Sequence, residues 1–333
     1  MERKFSQIIK EVEKELSKNE SDWLKRYSRY AKEINENLSE IEKNKDLFQL
    51  HKSIRPFMEL SQATRKMSIS LRFKGTRIAE LNIKKDKVLL ISTKGFENAN
   101  KYFGCTEATK ILNNTNWNDD TRKASNFRSF YKHCTKESYK VEHEIESLLK
   151  DRGFVKHAIV QIAKKYNFQF PTPLGASKSS NSENKIKTKK ILYSGKNGGG
   201  IDILARDRSK NLCVIELKQV GTKDSLEMVL GQALAYATFL RQLLKSHIRQ
   251  DWYEILGINR KIPDKLKIKV ISLMDEESIN KEDLEHIPKS LVIDGKDEFI
   301  FQSWFYKKKK KCSVNDIESV YFIENGEKKE LLK

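Results

Sequence analysis

The fold of this chain is decided by the stretch Gly198-Gly199-Gly200-Ile201-Asp202-Ile203-Leu204-Ala205 and by Leu212-Cys213-Val214-Ile215-Glu216-Leu217-Lys218, which follows it closely. Both stretches have strand composition, and the polar run from Arg206 to Asn211 between them is typical of a hairpin turn. A hairpin that is symmetric about Ser209 places Asp202 directly opposite Glu216. Opposed like charges on neighbouring strands repel each other. The sequence therefore predicts two carboxylates held at one end of a buried sheet at a cost in stability.

A bound divalent cation would remove this repulsion, because carboxylate oxygens are preferred ligands of Mg²⁺. Side chains alternate along a strand, so Lys218 shares the face of Glu216 while Leu217 points away. Asp202, Glu216 and Lys218 are then expected to converge on one spot. Gly200, opposite Lys218 in the same register, is expected to leave room for a substrate. The alternative interpretation is a hairpin that ends in ordinary solvated charges.

The order of these residues resembles the PD-(D/E)XK nuclease superfamily. Gly200-Ile201-Asp202 stands where that family often has Gly-x-Asp, and Glu216-Leu217-Lys218 stands where it has Glu-x-Lys. Downstream, Gln232-Ala233-Leu234-Ala235-Tyr236 is similar to the Gln-x-x-x-Tyr element of the RecB-like branch. The resemblance covers roughly Glu142 to Met274 and does not extend to the first 130 or so residues.

The resemblance implies a role for each matching residue. Asp202 and Glu216 would hold Mg²⁺, for which Mn²⁺ could substitute, with the carbonyl of Leu217 as a further ligand. Lys218 would position the attacking water or stabilise developing negative charge. Gln232 and Tyr236 would contact the nucleic acid or orient the active site; without the resemblance, they read as polar residues at the edge of the core.

The first core helix of the superfamily often donates a glutamate to the metal site. Here the helix predicted from about Ser138 to Asp151 offers Glu142, with Glu146 one turn further on the same side as the reserve. The alternative for each is a plain surface acid.

The net charge of +19 over 333 residues is what a protein that binds a phosphate backbone would carry. A lysine-rich composition can also be a solvated surface. The densest patch includes Lys307, Lys308 and Lys309, directly after Ser303-Trp304-Phe305-Tyr306. Aromatic side chains beside lysines suit base stacking and phosphate contact; the alternative is a strand end anchored by its aromatic residues. We expect nucleic acid as the partner, and DNA rather than RNA.

No apolar run approaches the roughly 20 residues that a membrane span needs, and the N-terminus is polar. We therefore expect a soluble, cytoplasmic protein without a membrane partner. The four cysteines form no Cys-x-x-Cys pair and show no zinc spacing.

Two domains are predicted. Residues 1–135 combine a helical region from Phe5 to about Arg65 with an antiparallel β-meander from Met67, and would serve recognition or dimerisation. Residues 136–333 would form the nuclease-like domain, with a long helix from about Ser225 to His247. Further strands are predicted at residues 267–274, 290–293 and 299–305. The expected fold class is α/β, a PD-(D/E)XK restriction-endonuclease-like core with a mixed sheet flanked by helices, plus an N-terminal α+β domain. The apolar helical stripes are compatible with a homodimer.

The function expected from these features is Mg²⁺-dependent hydrolysis of phosphodiester bonds in DNA, in restriction, phage defence or repair. The alternative is a nuclease-like module that binds nucleic acid or a protein partner without cutting.

Overall fold

The structure of the chain is a computed structural model. It describes residues 1–44, 54–60, 68–73, 76–84, 87–91, 101, 115–116, 160–161, 167–176, 191–195, 198–207, 209–219, 221–258, 263–279, 281–308, 317–324 and 327–332. The helix predicted between Ser138 and Asp151, with Glu142 and Glu146, lies outside these residues.

The chain divides into two compact units. The first unit comprises Met1–Ala31, Arg152–Lys165 and Gln169–Lys333, and the second comprises Lys32–Asp151 and Tyr166–Phe168. This differs from the predicted division after residue 135, because the N-terminal residues belong with the C-terminal part of the chain. The physical reason is an apolar helix face that packs there, with the ring of Phe5 stacked on that of Phe301 at 4.9 Å.

The N-terminal region begins with two helices, α1 (Glu2–Lys18) and α2 (Glu20–Asn44). The apolar side chains of α1 that are buried are Phe5, Ile9, Val12 and Leu16. The helical prediction is confirmed this far, but its extension to Arg65 is wrong. Residues 54–59 form a strand instead, and Pro56 in its middle has no N–H to donate within a helix.

The second unit contains the predicted meander. Its strands are β1 (Ile54–Glu59), β2 (Ser68–Phe73), β3 (Thr76–Lys84), β4 (Lys87–Ile91) and β5 (Thr115–Asn116). Each strand pairs antiparallel with the next. The meander predicted from the alternating pattern is therefore confirmed.

The first unit is built on a mixed sheet. The remaining strands of the chain are β6 (Val160–Gln161), β7 (Asn167–Pro171), β8 (Leu174–Gly175), β9 (Leu192–Tyr193), β10 (Gly200–Ile201), β11 (Ile203–Arg206), β12 (Leu212–Leu217), β13 (Lys267–Asp275), β14 (Ser290–Ile293), β15 (Asp297–Lys308), β16 (Ile317–Glu324) and β17 (Glu327–Leu332). The order of the main sheet is β17-β16-β15-β13-β12-β11-β6, and β14 pairs with β15. Neighbours β12, β13 and β15 are parallel, whereas the other pairs in the sheet are antiparallel.

The connection from β12 to β13 contains the long predicted helix, α3 (Leu226–Lys245), followed by the short helix α4 (Arg249–Ile255). A further short helix, α5 (Lys281–Glu285), precedes β14. The hydroxyl of Ser225 caps α3 by accepting a hydrogen bond from the N–H of Met228. Helix α3 packs against β12, β13 and α1. The α/β class and the mixed sheet flanked by helices are thus confirmed.

Arg241 of α3 links three parts of the first unit. Its buried guanidinium donates to Glu13 of α1 at 2.8 Å, to Asp297 at the start of β15 at 2.7 Å and to Asp294 in the turn before β15. Burial alone would raise the pKa of Asp297, but hydrogen bonds from Lys245, the Leu266 N–H and Arg241 outweigh it and hold the pKa below its ordinary value. This network joins α1 to the sheet through α3.

The glycine-rich segment before β11 docks on the chain ahead of it. Gly200 and Ile201 pair with Pro171 and Phe170. The ladder of the hairpin ends at Ile203 and Ile215, so Gly200 and Lys218 do not form the ladder pair that the sequence predicted. Among the described helices, none combines the length and the apolar character that a membrane crossing needs.

Candidate active site

The β11–β12 hairpin has the predicted register. Its ladder runs from Ile203 opposite Ile215 to Arg206 opposite Leu212, which is symmetric about Ser209. Asp202 directly precedes the ladder, and the continued register brings it level with Glu216. One oxygen of Asp202, Oδ2, accepts a hydrogen bond from the N–H of Leu217 at 2.9 Å.

Glu216 is the most deeply buried acid of the candidate site. Only 2% of its surface is exposed, and its Oε2 atom has no hydrogen-bond partner among the described residues. Burial raises the pKa of Glu216 well above its ordinary value, and the negative charge of Asp202 raises it further, while Lys218 acts in the opposite direction. The carboxylate form of Glu216 is therefore disfavoured unless a cation lies beside it.

Lys218 lies between two oxygen acceptors. Its Nζ donates to Oε1 of Glu216 at 3.3 Å and to Oε1 of Gln232 at 3.2 Å. The side chain of Lys218 is 13% exposed. The lysine head is thus held in a defined position next to the carboxylate pair.

Gln232 and Tyr236 lie one turn apart on α3, as their spacing predicts. The Nε2 of Gln232 donates to Oη of Tyr236 at 3.4 Å. Tyr236 is 1% exposed, and burial, together with the negative charge of Glu216, raises the pKa of its hydroxyl. Glu216, Lys218, Gln232 and Tyr236 therefore form one chain of hydrogen bonds. Asp202 joins this cluster through its interaction with the carboxyl group of Glu216.

The donor set of this cluster fits Mg²⁺. Glu216 interacts with the carboxylate of Asp202, and its Oε2 has no hydrogen-bond partner among the described residues. Leu217 directs its N–H to Asp202, and since the N–H and C=O of a strand residue point to the same side, its carbonyl is directed that way too. No third histidine, cysteine or acid among the described residues completes a metal-binding group. Mg²⁺ commonly keeps several waters and uses only one or two protein carboxylates.

The aromatic residues before the lysine patch lie inside the fold. Trp304, Phe305 and Tyr306 are all buried in β15, which fits the anchoring alternative rather than an exposed stacking surface. Lys307 follows them and is exposed. The side chain of Lys308 and the whole of Lys309 lie outside the described part of the chain.

Two residues near the cluster were not predicted as part of it: Ser272 was not singled out by the sequence, and Tyr306 was predicted only as an aromatic neighbour of the lysine patch. Ser272 of β13 is in register with Glu216 and fully buried, and its Oγ has no hydrogen-bond partner among the described residues. Tyr306 of β15 donates its hydroxyl to the carbonyl of Lys218 at 2.8 Å. The signal for Ser272 is one polar residue in an apolar strand, Val270-Ile271-Ser272-Leu273. No local pattern indicates the contact of Tyr306, whose partner lies 88 residues away.

Comparisons with protein-family models, with curated proteins and with solved structures give no significant match. The resemblance to a nuclease superfamily consequently depends on the motif residues themselves. Function has to be argued from the chemistry of the cluster.

Proposed function

We propose that this chain is a metal-dependent nuclease with a PD-(D/E)XK core that hydrolyses phosphodiester bonds in DNA. The observation that carries the proposal is the cluster itself: two adjacent carboxylates, one with an unpartnered buried oxygen, and a lysine head 3.3 Å from the same carboxylate. A protein that only binds nucleic acid has no need of such a carboxylate pair, because the pair repels phosphate. The net charge of +19 supports a polyanionic substrate.

In this proposal Asp202 and Glu216 hold Mg²⁺, with the Leu217 carbonyl as a further ligand. The bound metal supplies a Lewis acid for the phosphodiester and lowers the pKa of its water. Among the chain's own groups, the ammonium of Lys218 stabilises negative charge that develops on the phosphate or positions the attacking water. Its place is set by the Oε1 atoms of Glu216 and Gln232.

The burial of Tyr236 favours one of the two roles proposed for the Gln232–Tyr236 pair. A side chain with 1% of its surface exposed is better suited to orienting Gln232, and through it Lys218, than to contacting a nucleic acid strand. Lys307, at the end of β15, remains our proposed phosphate contact, together with Lys308 and Lys309. A cytoplasmic role in restriction, phage defence or repair, and a homodimeric form, belong to the same proposal.

The test is cleavage of end-labelled single-stranded and double-stranded DNA, and of RNA, with Mg²⁺, Mn²⁺ or EDTA. We expect metal-dependent cutting of DNA by the wild type and at least 100-fold slower cutting by Lys218→Ala, the scale of losing one stabilising group in an active site. Lys307→Ala is the matched lysine control and should retain the chemical step while weakening binding. Equal cleavage rates for the wild type and Lys218→Ala would contradict the proposed active site. Binding without cutting in every metal would instead favour the non-catalytic module.

A further inference from the structure

The backbone of Lys218 is held on both of its polar groups. Its N–H donates to the carbonyl of Leu273 on β13 at 3.0 Å, and its carbonyl accepts the hydroxyl of Tyr306 at 2.8 Å. The strand β12 ends one residue earlier, at Leu217. Although Lys218 lies just beyond the end of β12, these two hydrogen bonds hold its backbone in place.

Tyr306 reaches Lys218 from two strands away. In the sheet, β13 separates β15 from β12, and Tyr306 is in register with Asp275 at the end of β13. Because β12, β13 and β15 are parallel, their carboxyl ends meet at one edge of the sheet, and the long side chain of Tyr306 can span β13 there. Tyr306 is 0% exposed, so its ring has little freedom to move away from Lys218.

The ammonium of Lys218 and its backbone are thus fixed by different elements. Gln232 of α3 and Glu216 of β12 hold the side-chain head, and Tyr306 of β15 holds the main chain. We propose that Tyr306 is a positioning residue, which acts through the carbonyl of Lys218 and keeps the lysine head aligned with the carboxylate pair. The catalytic meaning of this position depends on the proposed nuclease function.

The test is Tyr306→Phe in the full chain, which removes only the hydroxyl. Local hydrogen exchange is measured first, because it needs no cleavage. We expect the amides of Lys218 and Gln219 to exchange roughly two- to tenfold faster, the change that corresponds to one lost hydrogen bond. Exchange in the middle of β13 should be unchanged. Tyr321→Phe is the matched control: Tyr321 lies in β16 of the same sheet, its hydroxyl bonds Glu276 and not Lys218, and its removal should leave the exchange of the Lys218 amide unchanged.

Cleavage gives the second readout. For Tyr306→Phe we expect kcat to fall by a similar factor, while KM and the Mg²⁺ concentration for half-maximal rate stay constant. A residue with a merely structural role would instead change exchange throughout the sheet and weaken metal binding. Unchanged exchange at Lys218, or faster exchange with wild-type kcat, would overturn the proposal. Faster exchange in a protein whose wild type cuts nothing would leave Tyr306 as the residue that positions Lys218 and would remove the nuclease assignment alone.

Discussion

Glu216 is the side chain of the candidate site whose ionised form is most disfavoured by its surroundings. It is buried, its Oε2 lacks a partner among the described residues, and Asp202 adds a like charge beside it. The nearest compensation is the ammonium of Lys218 at 3.3 Å. Such a carboxylate destabilises the metal-free fold, and a divalent cation would reverse the sign of its contribution.

We predict that Glu216→Gln stabilises the metal-free protein by about 1–2 kcal/mol, the cost of a buried polar group without a partner. Mg²⁺ should raise the melting temperature of the wild type, by the equivalent of about 2.7 kcal/mol at 100 times the Kd, and should not raise that of the variant. Thermal melts with Mg²⁺ and with EDTA measure both effects. Glu254→Gln, which changes an exposed glutamate on α4, is the control. Equal Mg²⁺ stabilisation of wild type and Glu216→Gln would contradict a metal site at Glu216.

The stability of the metal-free protein should depend on pH, because the pKa of Glu216 is raised in the folded state. Because the folded-state pKa of Glu216 is raised above its ordinary value of 4.5, its favourable contribution is fully present below pH 4.5 and is lost as the pH rises through the raised pKa. The stability difference between metal-free wild type and Glu216→Gln should therefore shrink towards low pH. Urea unfolding at a series of pH values measures it.

At the scale of single residues, the sequence was sufficient for those that lie in one hairpin. Asp202, Glu216 and Lys218 could be brought together because a hairpin with a short polar turn has few registers, and the charges identify the right one. Ser272 and Tyr306 could not be found in this way. Their neighbours, Glu216 and Lys218, lie 50 to 90 residues away in the sequence, and the order of parallel strands cannot be predicted from a local sequence pattern.

At the scale of elements, the glycine segment before β11 packs closely against the chain around Thr172 and Leu174. The N–H of Gly199 donates to the carbonyl of Leu174 at 2.7 Å, and its carbonyl accepts from the N–H of Thr172 at 2.7 Å. A Cβ on Gly199 would lie 2.2 Å from Oη of Tyr236. Glycine is thus required at positions 198 and 199 by close approach between segments.

We predict that Gly199→Ala lowers the free energy of unfolding by about 1–3 kcal/mol, the usual range for overpacking. Gly198→Ala should cost more, because its Cβ would lie 1.8 Å from the backbone oxygen of Thr172, which cannot rotate away. Urea denaturation measures both. Gly195→Ala is the matched control, since the nearest atom to its Cβ is 4.0 Å away. A Gly199→Ala protein as stable as Gly195→Ala would mean that this segment is not packed as described.

The helices show what apolar periodicity can predict and what it cannot. The apolar spacing of α1 and α3 identified both helices, and the bounds of α3 agree with the prediction to within two residues. Periodicity shows that a face of a helix is apolar but not which surface covers it. The sequence therefore grouped α1 with the meander, whereas the structure groups it with the C-terminal sheet.

On the scale of the whole molecule, the N-terminus is part of the candidate catalytic unit. The four buried side chains of α1 (Phe5, Ile9, Val12 and Leu16) contribute roughly 1.5–3 kcal/mol each, or about 6–12 kcal/mol together. This is as large as the total stability of many domains. Glu13 of the same helix accepts from the buried Arg241 of α3.

We predict that a protein lacking residues 1–31 does not unfold cooperatively and shows no Mg²⁺-dependent rise in melting temperature. The fragment 136–333, the domain suggested by the sequence, should behave in the same way. Circular dichroism melts with and without Mg²⁺ provide the measurement. A fragment 136–333 that melts cooperatively and binds the metal would show that α1 is dispensable for the unit.

The parallel order of β12, β13 and β15 also has a consequence during translation. Asp202, Glu216 and Lys218 are synthesised well before Tyr306, which bonds Lys218 in the folded protein. Phe5 is likewise synthesised long before Phe301, on which its ring stacks. A nascent chain in which Asp202 and Glu216 have just been synthesised therefore still lacks Tyr306, whose hydroxyl bonds the carbonyl of Lys218. Contacts between distant parts of the chain slow folding. Under the proposed nuclease function, the site would be complete only after the last strands have been synthesised, and chains still bound to polysomes would not cut the nucleic acids around them.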